Sequence, residues 1–361
     1  MKRKYSVILI LLFAILSSFA QDKDTPQSGE GIYAFLRRHN REGAANYDEF
    51  IKLNKSKLGK NNSLLNGVTY LLPTLVDPTE TNKQLSKQEL EILESLDYEQ
   101  LTKKSPDPQT KTKQQTYRLP LFGKKYEEYT VKDNLLSGAC FFLVSGHGGP
   151  DSGAIAKVDG HSLHEDEYAY DIVLRLARSL LEHGATVHII IQDPKDGIRD
   201  DKYLNNSKKE TCMGEPLPLN QLERLKQRCK AVNTLSRKAK EKYQRAIFIH
   251  LDSRSKKQQL DVFFYYQSEA ANKKKSKLLA ETMAKTFEEQ YNKHQPGRGF
   301  SGTVSTRPLY VMKKASPVAI FVELANMQNV NDQRRYLSDN NRQALANWLS
   351  MGFIKDYQQS Q

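Results

Sequence analysis

From Tyr117 onward, apolar residues recur in two alternating rhythms. Short continuous apolar runs read as buried strands, and stretches in which apolar residues return every three or four positions read as amphipathic helices. Ala139–Val144 is a predicted strand. Glu167–His183 is a predicted helix with Tyr168, Ile172, Leu176 and Leu180 on one face, stopped by Gly184. Val187–Ile191 returns to strand. Leu219–Tyr243 predicts a long helix with Leu222, Leu225, Cys229 and Val232 facing inward, followed by strands at Ala246–Leu251 and Asp261–Tyr266. Ala270–Tyr291 predicts a helix carrying Leu279, Met283, Phe287 and Tyr291. Strands at Leu309–Met312 and Val318–Leu324 follow, and a last helix carries Leu345, Trp348 and Leu349. This alternation predicts an α/β fold, a twisted, mostly parallel or mixed sheet with helices on both faces.

The chain before Tyr117 is organised differently. Ile32, Phe35 and Leu36 are spaced for one helical face, as are Phe50, Ile51 and Leu53, and Asn66-Gly67 signals a tight turn before the strand-like VTYLLP. Strand, two short helices, turn and strand within 28–73 resembles a lysin-motif (LysM) module. The landmarks are Gly29-Glu30-Gly31-Ile32-Tyr33, Leu53-Asn54, and Asn66-Gly67 leading to Leu72-Pro73. The resemblance implies a βααβ unit that binds N-acetylglucosamine polymers. Residues 74–118 are polar (DPTETNKQ, KKSPDPQTKTKQQ) and read as a linker around one short helix, Lys87–Tyr98. The catalytic-sized remainder is 119–355.

The opening MKRKYSVILILLFAILSSFAQ has a basic start, an apolar run from Val7 to Leu16 and a small-residue site at Ser18-Phe19-Ala20. It reads as a cleaved signal peptide, residues 1–20, which makes the mature protein exported, periplasmic or wall-associated. No cysteine stands near the cleavage site for a lipid anchor, and no later run is long enough to span a membrane. The formal charge of +13 falls to +10 when Lys2, Arg3 and Lys4 leave, 13 − 3. A basic exported chain suits a polyanionic partner such as cell wall, and export excludes nucleic acid. The run KKKSK at 273–277 reads as the solvated face of a helix. Cys140 reads as buried and inert. Cys212 and Cys229 are candidates for a bridge, but three widely spaced cysteines form no disulfide framework or thiolate metal site.

Four segments end an apolar stretch with a residue suited to metal or proton chemistry. LVSGHGG offers His147, LHEDEYAY offers Glu165, AIFIHLDS offers His250 and VAIFVELAN offers Glu323. In α/β sheets ligands gather beyond the strand carboxyl ends. Two imidazoles and a carboxylate with one position open make a catalytic zinc set, leaving the second carboxylate as general base. Glu323, closing a five-residue apolar run, would be costly to bury without a cation or hydrogen bonds nearby. His161 and His164 flank the site as rival ligands, and Glu167 rivals Glu165. His39, His183, His188 and His294 read as structural or exposed.

From about 139 to 350 these features resemble the zinc-dependent N-acetylmuramoyl-L-alanine amidases of the amidase-3 family. The matching motifs are Gly146-His147-Gly148-Gly149 with Asp151, Gly153 and Ala154, then Glu165, His250, and Pro317 with Val322-Glu323. The resemblance implies one Zn2+ per chain on His147, Glu165 and His250, with Glu323 as base, cutting the amide between N-acetylmuramic acid and L-alanine of peptidoglycan. The family spacing chooses Glu165 over Glu167, which then reads as an acid favoured by the helix dipole. Candidates to steady the ligands or touch substrate are Asp151, Arg228, Asn233, Asp252 and Asn329. Three motifs depart from the family pattern: Val144-Ser145 replaces Asp-Pro before GHGG, FIHLD replaces SIHAN, and VELAN replaces VEIGF. A zinc peptidase cutting within the stem peptide and a non-catalytic wall-binding protein are the competing readings, and a protein activator stays open. The polar insertion at 193–218 is long for a connector and reads as a lid or binding element.

Overall fold

The computed structural model describes residues 22–26, 32–39, 41, 44–59, 64–74, 116–254, 256, 258–268 and 272–361. The signal segment, Gly29–Gly31, the short helix at Lys87–Tyr98 and most of the 74–118 linker lie outside the described residues. The chain forms two compact units, one from residues before 83 and the other from nearly all of the rest.

The small unit runs β1 (Lys23–Asp24), α1 (Ile32–Arg38), α2 (Ala44–Asn54) and β2 (Tyr70–Leu71). β1 and β2 pair antiparallel, with Lys23 opposite Leu71 and Asp24 opposite Tyr70. Phe35, Leu36, Phe50, Tyr70 and Leu72 form its own core. Buried Asn54 ties α2 to β2: its amide donates to the Phe50 and Leu71 carbonyls, and its oxygen accepts from Leu71 N–H. The first strand precedes residue 28, so the expected boundary at 28 cuts the unit short. A two-residue strand carries too little periodicity to be read from sequence.

The larger unit opens with the antiparallel pair β3 (Thr116–Arg118) and β4 (Glu128–Thr130). It continues through β5 (Ala139–Ser145), the hairpin β6 (Ile155–Val158) and β7 (His161–His164), α3 (Glu165–Glu182) and β8 (Thr186–Ile189). Next come β9 (Ile191–Gln192), β10 (Thr211–Cys212) and β11 (Glu215–Pro216), a small antiparallel sheet. α4 (Gln221–Lys238), β12 (Tyr243–Asp252), β13 (Phe263–Tyr266), α5 (Lys273–His294) and β14 (Thr303–Thr306) follow. The chain ends with α6 (Tyr310–Lys314), β15 (Val318–Asn326), α7 (Val330–Leu337) and α8 (Asp339–Gln359).

The main sheet has six strands in the order β14-β13-β15-β12-β5-β8. β15, β12, β5 and β8 are mutually parallel, and β13 runs antiparallel to β15. Successive residues on the central strands face opposite sides. Phe141, Leu143, Ile247, Ile249, Ile320 and Val322 enter the core beneath α3, α5 and α8. Cys140, Phe142, Phe248 and Phe321 face the opposite core with Cys229 and Val232 of α4 and Val311 and Met312 of α6. Helices therefore cover both faces, as the apolar pattern predicts.

Four local expectations are corrected. The long helix stops at Lys238, because Tyr243 opens β12 opposite Ala139 and its hydroxyl donates to Asp356. Leu309–Met312 is not a strand: Tyr310–Lys314 is one helical turn that buries Val311 and Met312. The helix expected from Glu167 starts at Glu165, whose N–H donates to the Ala154 carbonyl. Cys212 and Cys229 are buried free thiols, not a bridge. Among the described residues no helix is long and apolar enough to cross a membrane.

Candidate metal centre and active site

Strand alternation places the site. His250 lies two residues beyond Phe248 and Glu323 two beyond Phe321, so both side chains leave the same sheet face at the strand carboxyl ends. The parallel register sets His250 directly opposite Glu323. Phe321 stacks on the His250 ring at 4.3 Å, and any Cβ at Gly146 would lie 2.3 Å from that ring. The histidine thus has one allowed position, with an aromatic ring on one side and bare backbone on the other.

Beyond β5 the chain turns sharply. His147 takes φ 60 and Gly148 and Gly149 follow at φ 105 and 62, which explains the two glycines that follow the histidine. Arg228, buried on α4, donates to the His147 carbonyl and anchors the turn. Gly149 N–H donates to Glu210. A Cβ at Gly153 would fall 2.6 Å from both Glu165 Oε2 and His147 Cδ2, so glycine is required there by close approach as well as by its φ of +68.

Glu165, in the first turn of α3, sits between the imidazoles. Its Oε2 is 3.2 Å from His147 Nε2 and its Oε1 is 2.8 Å from His250 Nδ1. The Ala154 and Leu251 N–H groups also donate to it. Burial alone would raise its pKa. The bonds to His147 and His250 outweigh burial and hold it far below the usual carboxylate range. Burial pulls His147 down, but Asp151 and Glu165 prevail and raise it to about 10, whereas burial keeps His250 below its ordinary value. Asp151 Oδ2 lies 3.1 Å behind His147 Nδ1 and accepts from Arg224 at 2.7 Å. A carboxylate at the rear nitrogen of a ligating histidine fixes its orientation.

Glu323 is 5% exposed, and its Oε2 is buried without a hydrogen-bond partner among the described residues. Arg307 approaches its other oxygen only to 3.9 Å. Burial, then the negative charges of Glu165 and Asp252, push its pKa well above the ordinary value. His147, Glu165 and His250 present ligand atoms within 4.8 Å of one another. Two imidazoles and a carboxylate fit zinc's preferred donors, and the orphaned Glu323 oxygen beside them is the group a nearby cation would keep ionised.

The remaining sequence candidates divide. Asp151 and Arg228 brace the His147 turn. Asp252 pairs with Arg254 at the end of β12 and adds charge beside Glu323. Asn233 lies elsewhere: it donates to the Lys314 carbonyl and accepts from Ser316 N–H, pinning the α6–β15 connection. Asn329 caps α7, accepting from Asn331 and Asp332 N–H. His161 stacks on Tyr203, and neither it nor His164 joins the cluster. Glu167, expected as a helix-start acid, is buried, accepting from Arg199 and Ser207 N–H. Sequence reasoning missed Arg224, Phe321 and Glu210. The Phe321 signal was available, two residues before Glu323 on a strand, whereas nothing in the aperiodic 193–218 segment singles out Glu210.

A mixed α/β domain thus brings together His147 and His250, each just past or at a strand end, and Glu165 from the first turn of α3. Residues 142–355 match the family model described as N-acetylmuramoyl-L-alanine amidase, and the chain belongs to that family. A comparison with curated proteins returns no match. Among solved structures, Cwp6 from Clostridium difficile is 21% identical over 61% of this chain, with a TM-score of 0.45, and the chain spans 29% of its length. The CwlD amidase from Clostridioides difficile, solved in complex with the GerS lipoprotein, is 17% identical over 61% of this chain and 98% of its own, TM-score 0.45. The amidase AmiC2 of Nostoc punctiforme is 21% identical over 62% of this chain and 99% of its own, TM-score 0.43.

Proposed function

We propose that this protein is an exported peptidoglycan hydrolase that cleaves the amide between N-acetylmuramic acid and L-alanine. One observation carries the reading: His147, Glu165 and His250 converge beside Glu323, which the strand register holds opposite His250. His147, Glu165 and His250 would hold one zinc ion. When bound, zinc supplies Lewis acidity, polarising the scissile carbonyl and acidifying water. Glu323 takes the proton of the attacking water and returns it to the departing amine nitrogen. Asp151 keeps the His147 ring aligned, and Arg228 keeps its backbone turn closed.

In the same reading residues 1–20 are a cleaved signal peptide, and the mature chain works in the periplasm or at the wall. The βααβ unit is a LysM-like module that holds the enzyme on glycan, 74–118 is its linker, and a protein activator is a candidate further partner. The test is incubation of the purified mature protein with sacculi, with and without a zinc chelator, and mass spectrometry of the products. Free stem peptides beginning at L-alanine, lost on chelation and restored by zinc, are the expected result. Cuts inside the stem would make it a different peptidase, and zinc-replete protein that cuts neither sacculi nor soluble muropeptides would refute the catalytic reading.

A further inference from the structure

A second group of acids lies behind the first. Asp166 and Glu167, in the opening turn of α3, and Glu210, from the 193–218 segment, are all buried, and one oxygen of each lies within 4.8 Å of the others. Their hydrogen bonds leave the group short of positive charge. Glu167 accepts from Arg199 at 2.9 Å and from Ser207 N–H, but Arg199 is shared with Asp196. Glu210 accepts from Gly149 N–H at 2.7 Å. Asp166 is 2% exposed, accepts at Oδ1 from Glu167 N–H, and has a buried Oδ2 with no hydrogen-bond partner among the described residues. Asp193 and Asp196 add further negative charge beside Glu210. Three buried carboxylates facing one shared guanidinium are expensive unless another cation is present.

We propose that Asp166, Glu167 and Glu210 form a second metal site, for a hard divalent cation. Oxygen-only donors select calcium or magnesium over zinc. Two oxygens on opposite sides of a calcium ion stand about 4.6–5.2 Å apart, which accommodates the observed spacing with Asp166 Oδ2 as the oxygen awaiting a ligand. The position explains what the ion does. Asp166 adjoins Glu165, Glu210 holds the turn that carries His147, and the ion ties the 193–218 segment to both. It stiffens the catalytic centre from behind without touching substrate.

The test uses the full mature chain, freed of calcium and magnesium and loaded with one equivalent of zinc. Calorimetric titration with calcium chloride, and separately with magnesium chloride, should show one saturable site. The unfolding midpoint should rise by roughly 5 °C or more at a cation concentration of 100 times Kd. Asp166→Asn and Glu210→Gln should each weaken binding at least tenfold. Which salt binds tighter decides between the two ions. If the wild-type protein shows no saturable binding and an unmoved midpoint with both salts, the proposal is wrong. It is equally wrong if both variants fold and bind like wild type, or if both are more stable than wild type in calcium, which would mean the acids are held neutral. None of these readings involves cleavage, so the outcome is independent of whether the amidase reading holds.

Discussion

The absent side chain at Gly153 decides whether the centre can assemble. At Gly153 even a methyl group meets Glu165 and His147 at 2.6 Å. Gly153→Ala should lower zinc content and cut activity on the order of 100-fold, since ångström displacements of reacting groups cost about that much. Circular dichroism should show the fold intact, and full zinc occupancy in the variant would contradict the argument. His147 makes a pH prediction. In the metal-free protein its pKa stands raised to about 10 against an ordinary 6.5. Its stabilising contribution is therefore complete below about 6.5 and lost as pH climbs through about 10. Zinc must displace the same proton, so metal binding at neutral pH should release at least one proton, measured by calorimetry in buffers of different ionisation enthalpy. No release would refute the assignment. Glu323→Gln should cost 10²–10⁴-fold in kcat, and near-full turnover would remove Glu323 as base. The same change should stabilise the metal-free protein at neutral pH, because the raised acid opposes its own ionisation on folding.

At the scale of elements, the sheet was legible and the connections were not. Continuous apolar runs such as Ala139–Val144 and Val318–Val322 read as buried strands, and a glutamate directly after the second announces itself. Asn233 and Asn329 resembled site residues because the sequence shows side-chain type and not direction. The series Asn329-Val330-Asn331-Asp332 is a helix N-cap that can be read locally, while the bond from the Asn329 amide to the Lys256 carbonyl cannot. Leu309–Met312 failed as a strand because a run of four apolar residues fits one helical turn equally well. The 193–218 segment lacked any periodicity, yet it is fastened down by helix side chains. Fully buried Arg342 of α8 donates to Asp171 of α3 at 2.6 Å, to the Tyr336 and Leu337 carbonyls, and to the Arg199 and Asp201 carbonyls of the segment. Arg342→Met removes one of the two guanidinium partners of Asp171, which keeps Arg175, and takes a donor from the Tyr336, Leu337 and Asp201 carbonyls, so it should cost about 1–3 kcal/mol. Urea unfolding followed at an unchanged m-value checks it, and a loss below about 1 kcal/mol would mean that water replaces the guanidinium.

At the scale of the molecule the question is why a hydrolase carries a separate N-terminal unit. That unit encloses Phe35, Phe50, Tyr70 and Leu72 in a core of its own, Asn54 ties its second helix to its last strand, and the β1–β2 pair joins its two ends. The candidate metal-binding residues His147, Glu165 and His250 all lie beyond residue 146. If the unit is a glycan tether, removing residues 22–74 changes the enzyme's local concentration on the wall and leaves its chemistry alone. A tether raises effective concentration by about 10²–10⁴, so the truncated protein should lose binding and turnover on intact sacculi by up to that factor. On a small soluble muropeptide, where no tether operates, its kcat/KM should stay within about twofold of the full chain. If basic charge outside the unit adds residual wall binding, raising salt should strip that remainder from the truncated protein first. Equal losses on both substrates would mean the unit supports the catalytic fold instead. Undiminished binding to sacculi at high salt would place the wall-binding surface on the catalytic unit.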